Sequence, residues 1–218
     1  MLELVNSIKD LGIIYEYNFK FNIHLDSITS KAFRLLGFVK RAKKEFKNIN
    51  SIVCLYKTLV RSNLLYNSQI WSPSYDIYIK KLESVKHKFL RFAAFKIASP
   101  MTFDDHKYTP IAKRLNLESV KSLHTYNDIY FVQKVKCNFI KCEELKTIFE
   151  ARAIPYGLRA FRVLKEDNSP RNYFRFSSIP RIKREWNKIV QILNLNINKS
   201  VNLDGFKKIS REAIFEYK

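Results

Sequence analysis

Lys31-Ala-Phe-Arg-Leu-Leu-Gly-Phe-Val-Lys-Arg41, Leu55-Tyr-Lys-Thr-Leu-Val-Arg-Ser62 and Leu82-Glu-Ser-Val-Lys-His-Lys-Phe-Leu-Arg91 follow one another in the chain, the second leading into Trp71-Ser-Pro73. Their apolar residues recur at helical spacing. Ile28, Ala32, Leu35 or Leu36, Val39 and Ala42 make one apolar face over five turns, while Lys31, Arg34 and Arg41 share another. Ile52, Leu55, Tyr56, Leu59, Val60 and Asn63 line a second helix with Lys57 and Arg61 to its side; Asn50 or Ser51 can cap it and Pro73 marks its end. A third helix runs from about Asp76 to Lys96, with Leu82, Val85, Phe89 and Phe92 inward and Lys80, His87, Lys88 and Arg91 outward. Three amphipathic helices in succession predict an antiparallel bundle.

Working outward, the residues before the first helix are short-period and β-like. Leu11-Gly-Ile-Ile-Tyr15 and Phe19-Lys-Phe21 flank a polar bend at Glu16 to Asn18, which predicts a small hairpin. Beyond Lys96 a loop carries Ser99-Pro100, Phe103-Asp-Asp105 and Pro110. Helices are then expected over Ile111 to Leu117, Leu117 to Cys137 and Glu143 to Ala151. Pro155-Tyr-Gly157 breaks the pattern, and basic and aromatic residues alternate without a clean period from Arg159 to Arg184. Helices from Arg181 to Leu193 and from Leu203 to Glu216 close the chain. The expected fold class is mainly α: a short N-terminal β-hairpin in residues 1–24, a helical bundle in 25–98, and a helical extension in 99–218 with an irregular basic stretch at 152–184.

A 218-residue chain with 46% hydrophobic and 14% aromatic residues can bury a true core. Disorder is not the expectation. Forty basic against twenty acidic residues leave a net charge of +20, which a polyanion such as nucleic acid would neutralise. The joint abundance of Lys, Asn, Ile, Phe and Tyr is also what an AT-rich genome yields with no binding role. Cys54, Cys137 and Cys142 form neither an even framework nor a metal quartet, so reduced intracellular thiols are expected. No apolar run reaches the roughly 18 residues of a membrane span, and the first residues lack the features of a signal peptide.

Motifs for chemistry are sparse. Asp104-Asp105 resembles the paired aspartates that hold two metal ions in polymerases, but it lies in a loop between Pro100 and Pro110 with Lys107 beside it, not in a turn between apolar strands. Asp104 reads as a cap or turn residue. His24, His87, His106 and His124 are too far apart for a metal site, and Gly12, Gly37, Gly157 and Gly205 form no phosphate loop. What remains is charge on helices. Lys31, Arg34, Arg41, Lys57, Arg61, Lys80, Lys88 and Arg91 are the candidates for phosphate contact, each with a solvated face as its alternative. Tyr66, Trp71 and Tyr75 could stack on bases, although Trp71 is the better core residue.

The order Ala32-x-x-x-Leu-Gly-Phe38, Leu55-Tyr-x-x-Leu-Val-Arg61 with Trp71-Ser-Pro73, and Glu83-x-Val-x-x-x-Phe-Leu-Arg91 resembles the segment after the catalytic palm in reverse transcriptases of non-LTR (LINE-type, jockey-like) retrotransposons. The likeness extends over nearly the whole chain. Lys9-Asp-Leu-Gly-Ile13, Phe19-Lys-Phe21 and His24 are similar to the stretch that closes the palm in that family. Tyr108-Thr-Pro110, Arg114-Leu-Asn-Leu117, Arg171-Asn-Tyr173, Ser178-Ile-Pro-Arg181 and Asn187 follow its C-terminal order.

The resemblance implies a truncated piece of an RNA-directed DNA polymerase: a palm-end hairpin in residues 1–24, a thumb-like bundle in 25–98 and a downstream extension. It implies no catalytic residue and no cofactor in this chain, the Mg²⁺ of the parent enzyme being held upstream, and no polymerase activity alone. The implied partners are RNA and DNA, as a template–primer duplex gripped through its phosphates, with no membrane involved and nuclear residence. Without the resemblance, the same surface fits a non-enzymatic helical module that binds nucleic acid or protein, or a decayed element with no selected role.

Overall fold

The computed structural model describes residues 6–46, 48–96, 108–150, 163–166, 174, 177–193, 205, 209–211 and 214–215. Among these the chain is mainly helical, with one antiparallel hairpin at its start. It divides into two units, Met1–Tyr66 with Pro73–Lys121, and Asn67–Ser72 with Ser122–Lys218. Residues 108–121, grouped above with the C-terminal extension, belong to the first unit because their side chains bond there: Arg91 Nε donates to Tyr108 Oη, Arg61 pairs with Glu118, and Glu83 accepts the Lys121 backbone N–H.

The hairpin pairs β1 (Ser7–Asp10) with β2 (Ile13–Glu16), Ser7 opposite Glu16 and Asp10 opposite Ile13. Its turn is therefore Leu11-Gly12, five residues before the bend expected at Glu16 to Asn18, and Phe19 to Phe21 are not a strand. Both loop residues have positive φ, 46° at Leu11 and 84° at Gly12, as the tight turn that matches strand twist requires. Glycine takes that conformation freely. Leucine does not, so residue type gives no sign of the turn at this position.

Glu16, taken above for a bend residue, ties the hairpin to the next helix. α1 spans Asn22–Arg41, and the Glu16 carboxylate accepts the Ile23 N–H at 2.8 Å, capping the helix from outside. His24 answers in the other direction, its Nδ1 accepting the Ile14 N–H of β2 at 3.3 Å. Burial lowers the His24 pKa, consistent with a neutral ring that can accept.

α1 buries Leu25, Ile28, Ala32, Leu36 and Val39, as its apolar spacing requires. The second helix departs from expectation. Its cap is Asn48, whose Oδ1 accepts the Asn50 N–H, rather than Asn50 or Ser51. α2 (Ile49–Leu55) runs into a π-turn (Tyr56–Arg61) before α3 (Ser62–Leu65). Ile52, Tyr56, Val60 and Leu64 are buried at intervals of four, and the wider π-turn keeps this line on the core where a plain α-helix would rotate it away. Leu55, Leu59 and Asn63 are accordingly only half-buried.

α4 (Ser68–Trp71) is a single turn, and α5 (Asp76–Lys96) has the expected bounds. α5 buries Leu82, Val85, Phe89, Leu90, Ala93 and Ala94, whereas Phe92, expected inside, is half-buried at the edge. Lys86 goes the other way: it is buried, with Nζ 3.0 Å from the Glu83 carboxylate. Asp26 pairs with Lys81, Lys88 lies over Phe33, and Lys40 lies over Phe92, so α1 and α5 run in the same direction. Tyr56 stacks on Phe89 at 4.0 Å while Asn63, later in the chain, bonds Ile28 near the start of α1. The middle rod therefore runs opposite to both, and the three make an up-down-up bundle.

The described residues beyond α5 include α6 (Thr109–Arg114), α7 (Val120–Lys136), α8 (Glu143–Ile148) and α9 (Ser178–Leu193). α9 starts three residues before the expected Arg181. Pro180 sits in its first turn, where the missing N–H costs nothing, so part of the stretch expected to be irregular is helical. Phe103-Asp-Asp105, Pro155-Tyr-Gly157 and most of 152–184 lie outside the described residues. The described residues between 205 and 215 are helical.

The second unit packs Ile129, Val132, Val135, Phe149, Ile182, Trp186 and Ile189 into one core. Two polar residues of α9 hold backbone inside it. Asn187 presents its amide to Leu164 as a strand would, accepting the N–H at 2.9 Å and donating to the C=O at 3.0 Å. Arg181 donates to Asp128 at 3.0 Å and to the Ser72 and Gln69 carbonyls at 2.8 and 2.6 Å, which closes the C-terminal end of α4 with a cation.

Burial, outweighing the attraction of Arg181, raises the Asp128 pKa from 3.8 to about 6. The folded state then binds the proton more tightly than the unfolded one. Its contribution to stability is full at low pH and is lost as pH rises through about 6. Subtracting the urea-unfolding free energies of Asp128→Asn from those of wild type between pH 4 and 7 is expected to show this fall; a flat difference contradicts it. Leu11→Asn relieves the left-handed leucine at an exposed position and is expected to stabilise by about 0.5–1 kcal/mol in the same measurement.

Candidate nucleic-acid interface

The phosphate-contact candidates fall into three groups. Lys31, Arg34 and Arg41 project from the outward face of α1 and Lys80 from α5, all exposed and without an ion pair among the described residues. α1 contains one acidic residue, Asp26, which is occupied by Lys81. Among the described residues no carboxylate pairs with the cations of this face. Lys88 is also exposed, but its ammonium lies 4.1 Å from the centre of the Phe33 ring, a cation–π contact that places it on the seam between α1 and α5.

The other three are less available. Arg61 is half-buried, with Nη1 3.2 Å from Glu118; Arg91, though exposed, donates to Tyr108; Lys57 is half-buried. The structure thus brings Lys31, Arg34, Arg41, Lys80 and Lys88 forward as the reachable set and gives Arg61 and Arg91 intramolecular partners. Lys40 was missed from sequence. It stands seven residues after Phe33 on the same side of α1, above Phe92 at 5.9 Å, and that spacing is the signal that could have found it.

Among the aromatic candidates, Trp71 is 2% exposed and packs edge-on against His124 in the second unit. It has no free face for a base. Tyr66 and Tyr75 are exposed, Tyr66 with its hydroxyl donating to the Leu11 carbonyl. Tyr56 is buried against Phe89, and burial with the nearby Glu83 charge raises its pKa, so it stays a neutral core ring.

Other chemistry is limited. Ser72 Oγ lies 2.8 Å from His124 Nδ1, a hydroxyl–imidazole pair of the kind that can activate a nucleophile. The carboxylate one turn on, Asp128, is committed to Arg181, and the pair serves to fasten the end of α4. Among the described residues no three His, Cys, Asp or Glu side chains converge as metal ligands, and no helix is long and apolar enough to cross a membrane. No protein-family model, curated protein or solved structure matches the chain.

Proposed function

We propose that the first unit holds a double-stranded nucleic acid by its backbone, in the manner of the thumb of a non-LTR retrotransposon reverse transcriptase, and that this chain is a piece of such an enzyme without a catalytic role of its own. The observation that carries the reading is the outward face of α1, where Lys31, Arg34 and Arg41 stand exposed with no carboxylate paired to them among the described residues. Lysines and arginines on a rigid helix suit phosphates at fixed spacing, and an A-form duplex is held mainly through backbone and shape. No base-edge reading is implied. The template–primer hybrid is the fitting ligand, the Mg²⁺ chemistry belongs to the parent enzyme's palm, and the place of action is the nucleus, where such elements insert.

A protein-docking module is the second reading, favoured by the exposed Leu11, Tyr17 and Phe19 around the hairpin. The two separate on salt. An RNA–DNA hybrid is expected to lose about 10³ to 10⁵ in affinity between 50 and 200 mM salt if six to ten phosphates are engaged. Replacing Lys31, Arg34 and Arg41 together by Gln is expected to lower the slope of log affinity against log salt by about three. Arg61→Gln is expected to leave the slope alone and to cost stability through Glu118. A salt-independent affinity, or an unchanged slope in the triple variant, contradicts the duplex reading.

A further inference from the structure

The seam between α1 and α5 alternates cations and aromatic rings. Lys88 lies over Phe33 and Lys40 over Phe92; at the end of the seam Lys96 donates to the Phe46 carbonyl. Lys88, Phe92 and Phe95 share one face of α5 at intervals of four and three. The rings are increasingly bare toward that end: Phe33 and Phe92 are half-buried, but Phe46 is 40% and Phe95 71% exposed. A large apolar ring left in water costs free energy that a core position would have recovered. The charge beside it is one-sided, since residues 38–46 and 88–96 contain seven Lys or Arg and one acidic residue, Glu45.

We infer that the α1–α5 seam binds single-stranded nucleic acid, with phosphates at Lys88, Lys40 and Lys96 and an unpaired base stacked on Phe95. A nucleotide chain is the polymer whose repeat offers one anion and one flat ring in turn, which is the alternation the seam presents. A protein partner would be expected to meet a continuous apolar patch, whereas these rings are separated by cations. A duplex cannot use Phe95, because its bases are already stacked and their faces covered. The inference shares Lys88 with the duplex reading but has another ligand and another anchor.

Fluorescence anisotropy of the full chain with labelled oligo(U) and oligo(dT) twelve-mers tests it, with an RNA–DNA hybrid titrated in parallel. Phe95→Leu keeps an apolar side chain and removes the stacking face. It is expected to weaken both single strands by roughly 5- to 100-fold and to leave hybrid affinity unchanged. Phe95→Trp is expected to bind single strands at least as tightly as wild type. Wild-type affinity for single strands in Phe95→Leu overturns the inference, as does competition by polyglutamate of equal charge as effective as oligo(U). A self-association seen by sedimentation and abolished by Phe95→Leu also overturns it, since the ring would then be covered by a second copy. Loss of hybrid binding with single-strand binding intact would fault the duplex reading alone.

Discussion

A guanidinium cannot be buried without acceptors around it, and Arg181 is buried. Its desolvation is offset by the Asp128 carboxylate and by the carbonyls of Gln69 and Ser72, so three segments far apart in sequence must meet at one side chain. That meeting explains why the six residues Asn67–Ser72 belong to the second unit although the chain on either side belongs to the first. With α4 held there, Trp71 enters the core against His124. The same α9 turns Asn187 onto Leu164, where its amide replaces the missing strand partner. The polar centre of the unit is thus a set of backbone clamps.

The first unit is organised by a different constraint. Its helices bury a continuous apolar line, and the excess of cations is left outside it. Where those cations have acidic or hydroxyl partners, as Arg61 with Glu118 and Arg91 with Tyr108, they join α5 and the π-turn to residues 108–121. Where they have none among the described residues, on the outward face of α1, the charge faces solvent, which is the side on which the proposed duplex would sit.

Helical periodicity carried much of this. The bounds of α5 and the buried faces of α1 and α5 were legible because three or four turns of apolar spacing outvote local exceptions. The exceptions lie where a neighbouring charge, a strained turn or a changed helix pitch decides instead. Lys86 occupies the inner half of α5 because Glu83 is one turn away to neutralise it, a pairing that periodicity does not weigh. The hairpin turn uses a leucine in a left-handed conformation, so propensity pointed to the polar residues after it. The π-turn changes which residues of the second rod face the core, and single-sequence spacing assumes a constant pitch. The pairing of Arg181 with Asp128, 53 residues apart, leaves no local trace at all. Of the candidate interface, residue type and helix face were readable; which cations are held by internal partners was not.

What distinguishes a binding face from a merely solvated one is whether its amines are covered when nucleic acid is present. Lysine acetylation footprinting by mass spectrometry, with and without an RNA–DNA hybrid at low salt, measures that directly. Lys31, Lys80 and Lys88 are expected to be protected while Lys188, exposed on α9 beside Glu185, reacts as before. Equal protection of all four, or protection of none, would contradict a duplex seated on the first unit.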